Sequence, residues 1–559
     1  MLISLILFAY IATVVLGIGL LFFGKSTDKK HGLIVYLTAG TVILTVYAQY
    51  FSLFAKVGAI CHIAALLASA AGYYINRKDV VPELFKRLRK DISTYEIVFY
   101  AGFIIFIAFF TSRGTFHTDT NIYHGAAIRM YEDYKVIKGL GNLQLHYAYN
   151  SASLSFAALF SMKWLLGRSY HVTTGFYEVL LALYSFYGLK RWKEHKYHVA
   201  DMLRVGSLFY ILVIITGSMS PATDYSTMLM TMLLIALWCD SAENGAKEDS
   251  FALLSVMAVY LASMKFSSCM LVIMAIYPAV ILVKNKRFKA IAGYLLLGIA
   301  VILPFLIRNY ILSGWLLYPF EGIDIFDPVW KIPKEYLLVD AAQIKVWGRC
   351  LYDVSLIDMP MAEWMPIWWS EQERYAQMLV YGTVAGGLLL FILIIERIIR
   401  RAKTPREAYP LGVLYLGILA NLAVWFVEAP FIRYGLAFIL ASIMISVGIF
   451  LSGKHRGLLY IAEGLSVFLI IAGLSPYFDN YFTDAGVFLK QNIKEPYYIN
   501  QKDYDRTDIE TLDLNGITVY APLVDEINSY YDSPGSCYKF MVDRTEAIGD
   551  TIEEGFKAK

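Results

Sequence analysis

Apolar residues run through this chain in long blocks separated by short polar stretches, and block length sets the elements. A helix needs about 20 mainly apolar residues to cross a hydrocarbon layer about 30 Å thick. Blocks of this kind lie at 2–23, 33–53, 57–75, 95–111, 172–189, 204–220, 225–239, 251–264, 267–283, 290–311, 376–395, 408–427, 434–451 and 457–473, about fourteen in all. The pattern predicts an all-α polytopic membrane protein over residues 1–476. From 477 to 559 the chain turns polar, acidic and tyrosine-rich. Within that tail, NGITVYAPL at 515–523 alternates as a strand does after an Asn-Gly turn. A small α+β appendage is expected there.

Charge orients the blocks. Lys and Arg gather at 25–30, 77–90, 190–204, 284–289, 397–406 and 454–456. The positive-inside rule puts these stretches on the cytoplasmic side. Alternation then puts both termini, the tail and two long loops, 112–171 and 312–375, on the extracytoplasmic side. Segment 151–166, SASLSFAALFSMKWLL, is half a span by composition. A full crossing would move every later basic stretch outside, so a re-entrant or membrane-surface helix is expected. No small-residue cleavage site follows the first block, which reads as a span and not as a cleaved signal.

Composition agrees. Hydrophobic residues make up 58 % and charged ones 17 %, against about 45–50 % and about 25 % in soluble domains. That excludes a disordered chain, a coiled coil and an ordinary cytosolic enzyme. The net charge of +3 gives no ground for a nucleic-acid partner; membrane lipid is the expected surrounding. The five cysteines show neither metal-ligand nor CxxC spacing. Cys61, Cys239 and Cys269 read as buried small hydrophobes. Cys350 and Cys537 both fall in segments placed outside, which leaves a disulfide between them open.

The polar residues with chemistry concentrate at the outer face. Loop 112–171 opens with Arg113, His117, Asp119, Asn121, Tyr123 and His124, followed by Arg129, Glu132 and Asp133. Asp119 follows Thr118 at a helix start, so an N-cap is the plain reading. A carboxylate held at the membrane surface also suits a general base or a divalent-cation ligand. Nothing in the spacing suggests zinc. In PFLIRNYILSGWLLYPF, 304–320, Arg308 and Asn309 lie near the outer end of a span. Arg308 either snorkels or donates its planar fork to a phosphate. The short turn EAPFIRYG, 428–435, carries an Arg433 that violates the positive-inside bias. A salt bridge to Glu428 or an anionic ligand would explain it. Asp224 and Lys265 are single charges at tips of short outer loops, and they join the others if the helices pack side by side. Trp347, Trp364, Trp368 and Trp369 make the second loop aromatic-rich and would anchor it at the interface.

Three blocks, RGTFHTDTNIYHGAAIRMYEDYKVIKGLGNL, RNYILSGWLLYPF and APFIRYG, resemble a group of large bacterial membrane proteins sharing a similar extracytoplasmic tail. An acidic residue in the first long external loop, a Tyr-His soon after and many spans are more broadly similar to GT-C type glycosyltransferases. The resemblance implies a bacterial cytoplasmic-membrane enzyme taking a sugar from a polyprenyl-phosphate donor to a glycan or lipid-linked acceptor. Asp119 would be the base or metal-holding carboxylate, with His117, Tyr123 and His124 beside it. Arg308, Arg433 and Arg113 would meet the donor phosphate; Asn121, Asn309, Trp368 and Trp369 would meet the sugars. Two departures stand out. Three spans precede the one feeding the first loop, and no second acidic residue follows Asp119 directly. The metal is thereby left open between none and a divalent cation, Mg or Mn. The rivals are an outer-face polysaccharide polymerase or ligase, a non-catalytic scaffold, and a transporter or flippase. The last would use Glu178 or Glu463, the carboxylates set within spans.

Overall fold

A computed structural model describes residues 1–559 except 26–31, 195–196, 401–404, 453–455, 478–497 and 525–529. The chain is a helical bundle with a small strand-bearing tail. Among the described residues, eleven helices are long and apolar enough to cross a membrane. They begin with Leu2–Phe23 and end with Ile432–Leu451. Two further expected spans form helices of 17 residues, Thr173–Leu189 and Glu248–Met264. The last, Arg456–Tyr477, is only partly described in its side chains. Val199–Ile214, Thr223–Glu243 and Ile432–Leu451 are largely buried at the centre, whereas Arg374–Ile399 is almost bare along its apolar length.

Local chemistry fixes the ends. Ser93 and Glu96 form a capping box that starts helix Thr94–Arg113, with Ser93 N–H donating to Glu96 at 2.8 Å. Gly314, at φ +78°, ends helix Phe288–Ser313 in the left-handed conformation that favours glycine.

Segment 151–166 does not make one helix. Ala152–Phe160 is buried at all nine residues, and Met162 breaks the chain at φ +59° before the short turn Lys163–Leu166. Nine residues span about 14 Å, roughly half a hydrocarbon layer. Ser155 donates to Thr45 O at 3.1 Å, and Tyr170 N–H returns to Ser161 O at 2.8 Å. Ala152–Phe160 therefore sits inside the bundle and not on its surface, whereas Trp164, Leu165 and Leu166 are exposed.

In the tail, strand Ile509–Leu514 pairs antiparallel with Ile517–Pro522, from Leu514↔Ile517 to Ile509↔Pro522. The connecting Asn515 and Gly516 both have positive φ, as a two-residue hairpin of this hand requires. A second pair joins Thr545–Ala547 to Phe556–Ala558. The tail packs on the first loop. Phe556 N–H donates to Lys138 O at 2.9 Å, and Thr545 Oγ1 to Asn142 O at 2.8 Å. Tyr504 stacks on Phe116 at 4.4 Å between centroids. Leu2 N–H donates to Tyr498 O at 2.8 Å, so the first helix begins at this same end. No disulfide joins Cys350 to Cys537. Cys350 accepts from Gln372 at 3.6 Å, and Cys537 lies against His146.

Candidate functional site

The first loop is stitched to the turn between helices Val199–Ile214 and Thr223–Glu243. Helix Thr94–Arg113 ends at Gly114, where a Cβ would fall 2.2 Å from Thr216 O. Only glycine permits that approach. Thr115 N–H then donates to Thr216 O at 2.8 Å, and His117 N–H to Ser220 Oγ at 3.3 Å. Asp119 stands before a π-helical turn, Thr120–His124, but its side chain does not cap it. Instead Asp119 N–H donates to His117 Nδ1 at 3.1 Å, which leaves the carboxylate free to turn elsewhere. Thr120 Oγ1 pairs closely with Ser220 Oγ.

The carboxylate turns toward Arg433. The guanidinium spreads over three residues: Nη1 to His117 Nε2 at 2.9 Å, Nη2 to Asp119 Oδ2 at 3.2 Å, and Nε against Asp224 Oδ2 at 3.3 Å. The last is an ion pair without hydrogen-bond alignment, so the buried Asp224 Oδ2 has no hydrogen-bond partner. Lys265 Nζ pairs with Asp224 Oδ1 and sits 3.6 Å above the Tyr434 ring. Two carboxylates thus meet two cations. Arg433 does not pair with Glu428, which bonds Lys345 at 3.2 Å.

The environment sets the protonation states. Burial lowers the His117 pKa, with Asp119 raising it and Arg433 lowering it further. Both ring nitrogens face donors, and a neutral imidazole can accept at only one. Burial also lowers His124, to about 3; that ring lies 3.3 Å from Thr120 Oγ1 and 3.4 Å from Thr223 Oγ1. The Tyr123 phenol is pushed well above its ordinary value by burial, then by Asp119, Tyr434 and Asp224, so it stands as a donor near the carboxylates. Burial opposes the charge of Lys265, yet Asp224 and Tyr434 raise its pKa and keep it an ammonium.

His117, Asp119 and Asp224 offer ligand atoms within 4.8 Å of one another, a donor set that suits a divalent ion. With Arg433 in place the fit fails on charge. The guanidinium already touches all three residues, and Lys265 balances Asp224, so an added ion would face two cations.

The other expected site residues lie apart from this centre. Arg308 is buried, donating to Asn150 Oδ1 at 3.0 Å and Ser52 Oγ at 2.6 Å over the Tyr131 ring. Asn309 bonds Asn150 and Leu316 O, at 2.9 and 3.2 Å. Arg113 lies over the Phe109 ring at 3.8 Å, with Nε and Nη1 lacking partners. Trp368 is buried, donates to Pro430 O at 2.9 Å and packs on Trp425 and Phe426. Trp369 packs on Tyr381. Glu132 accepts from Ser169, and Asp133 pairs with Arg129 and Lys163, so neither joins Asp119. Asn121 is exposed on the π-turn.

One layer had no mark in the sequence. Asp340, from helix Lys334–Gly348, accepts from Tyr149 OH at 3.0 Å and Tyr318 OH at 2.8 Å. Burial raises its pKa. Tyr149 and His146, from the first loop, in turn pack on Tyr123, at 5.6 and 5.1 Å, and so connect Asp340 of the second loop to the site. No spacing pattern links residues 146, 149, 318 and 340; only the fold does.

Residues 1–440 match a family described as Domain of unknown function (DUF8201). No curated protein and no solved structure matches the chain.

Proposed function

The chain belongs to the DUF8201 family, and we propose that it is a glycosyltransferase that moves a sugar from a polyprenyl-phosphate donor to an acceptor hydroxyl. On this reading the site faces the extracytoplasmic side of a bacterial cytoplasmic membrane and serves surface glycan assembly. The observation that carries it is the Arg433 fork, which binds Asp119 to His117 and Asp224 at one end of the bundle. The resemblance of the first loop to GT-C enzymes supplies the reaction class.

Asp119 takes the proton of the acceptor hydroxyl as its oxygen bonds the anomeric carbon. The bond from that carbon to the phosphate oxygen breaks, and its electron pair leaves with the phosphate. Protonation of Asp119 cancels the charge that held Arg433, and the guanidinium, with Lys265, then meets the charge growing on the phosphate. Neutral His117, accepting from Arg433 at Nε2, holds the guanidinium beside Asp119. Tyr123 donates toward the reacting oxygens, and exposed Asn121 positions the acceptor. Arg308, Asn309 and Trp368 hold the scaffold instead. No step calls for a metal.

Asp119→Asn in the producing cell tests this. The surface glycan is expected to disappear at unchanged protein level, and an unchanged glycan would refute the role. A lipid-linked glycan flippase is the second reading, favoured by Glu178, a buried carboxylate whose two oxygens both accept from Ser218, at 2.8 and 2.6 Å. Transport in proteoliposomes that survives Asp119→Asn and fails with Glu178→Gln would select it.

A further inference from the structure

A cavity of about 280 Å³ lies in the second long loop, between helix Lys334–Gly348, helix Met361–Glu371 and the end of helix Ala408–Glu428. Its volume sits just below the usual range for small-molecule sites, which suits a headgroup. Arg349 lines it and is only 7 % exposed. Its Nη1 donates to Ile357 O at 3.0 Å and its Nη2 reaches Val427 O at 3.4 Å, both neutral acceptors, and its buried Nε has no partner. A buried guanidinium without an acid is costly unless something anionic completes it.

The charges lining the cavity can be sorted. Lys345 is matched by Glu428 at 3.2 Å. Arg349 makes no ion pair among the described residues and feels only the charge of Glu428, which Lys345 already engages; Asp358, exposed at the same cavity, makes no ion pair either. A cation and an anion without ion pairs therefore share one space. Trp364, with Arg349 4.8 Å over its ring, and Phe426 form an apolar wall. The rim is apolar too: Met361 and Val427, both about half exposed, line the cavity, and Met365 and Ile367 continue the bare face of the same helix. Such a rim suits the boundary between headgroups and acyl chains.

We propose that this cavity binds the headgroup of a zwitterionic aminophospholipid, its phosphate on Arg349 and its ammonium on Asp358, with the acyl chains leaving over Met361 and Val427. The charge pattern selects the zwitterion: a purely anionic head would leave Asp358 repelling it, and a free phosphate would leave the apolar rim uncovered. The site is independent of the Asp119 chemistry and stands if that chemistry fails.

The test uses the full-length protein in detergent, with dihexanoyl phosphatidylethanolamine, dihexanoyl phosphatidylglycerol and inorganic phosphate as probes, read by native mass spectrometry. The ethanolamine lipid is expected to bind about tenfold more tightly than the glycerol lipid, and inorganic phosphate not at all. Arg349→Gln should weaken both lipids about tenfold. Asp358→Asn, at an exposed position that leaves folding intact, should erase the preference between the lipids while keeping the glycerol lipid bound. If Arg349→Gln does not fold, Asp358→Asn decides alone. Equal binding of the two lipids to the wild type, a preference that survives Asp358→Asn, or binding of phosphate alone would overturn the proposal.

Discussion

Each end of the bundle gathers an arginine, two aspartates and a histidine, yet the two clusters differ in how far solvent reaches the arginine. At the end opposite Asp119, Arg204 is sealed. It bonds Asp201 at 2.6 Å, pairs closely with Asp240, and meets Tyr184 OH at 3.1 Å. Its side chain is 2 % exposed. Nearby Glu243 accepts from the main chain of Val199 and Ala200, and so ties two helices together. At the Asp119 end, the Arg433 side chain is 35 % exposed, Asp119 is 20 % exposed, and Asp224 Oδ2 lacks a hydrogen bond. Both ends also hold a histidine–carboxylate trio spaced for an ion, His198–Asp240–Glu243 and His117–Asp119–Asp224. Residue types alone therefore do not separate a staple from a site, and neither do unpartnered atoms, since Arg204 Nε and His198 Nδ1 also lack hydrogen bonds; the access of the arginine does.

The sharpest way to break this contrast is to cut the two arginines in turn. Arg204→Gln leaves the buried Asp201 and the partly buried Asp240 with only Arg191 as a cation among the described residues, at 3.4 Å from each, and should cost about 3 kcal/mol of stability, read as a lower melting temperature and yield. Arg433→Gln should leave the melting temperature nearly unchanged and lower sugar transfer by about 10²- to 10³-fold. If Arg433→Gln unfolds the protein while Arg204→Gln is tolerated, the assignment is reversed.

Acid should bear on the Asp119 end through His124. Its pKa falls from an ordinary 6.5 to about 3 on folding. Below pH 6.5 the unfolded chain therefore takes up a proton that the folded chain refuses. Stability from this group is complete above pH 6.5 and declines as the pH falls toward 3. His124→Gln should show a shallower loss of melting temperature between pH 7 and pH 5 than the wild type; identical slopes would remove His124 from the account. Tyr123→Phe keeps the packing on His146 and loses only the hydroxyl, so transfer should fall about tenfold, the scale of one hydrogen bond. The smallest effect belongs to chelators. With Arg433 and Lys265 supplying the positive charge, EDTA should leave transfer unchanged, and restoration of activity by Mg or Mn after chelation would displace Arg433 from its role.

Much of the helical frame was legible because long apolar blocks leave a chain few options in lipid. Segment 151–166 was ambiguous by hydropathy, and it folds as two short helices, Ala152–Phe160 buried within the bundle and Lys163–Leu166 without a buried residue. The site was legible in part. Arg433 drew notice because the expected topology sets it against the positive-inside bias, and it is met by Asp119 and Asp224. Asp224 and Lys265 looked like solvated tips, since a short loop carries no record of what its neighbours bring. Arg308 and Asn309 shared the outer location and the right chemistry, but their partners, Ser52 and Asn150, come from distant segments that no local pattern reveals. Asp119 was expected to cap its helix; its side chain makes no cap hydrogen bond and pairs with Arg433, a partner from a distant segment.

The central claim is that the Asp119 end does chemistry on a lipid-linked sugar. Purified protein in proteoliposomes, given a polyprenyl-phosphate donor with a labelled sugar and an acceptor glycan, measures it directly. The wild type is predicted to transfer label, and Asp119→Asn to transfer at least about 10²-fold less at equal folded protein. Equal transfer by both would contradict the claim.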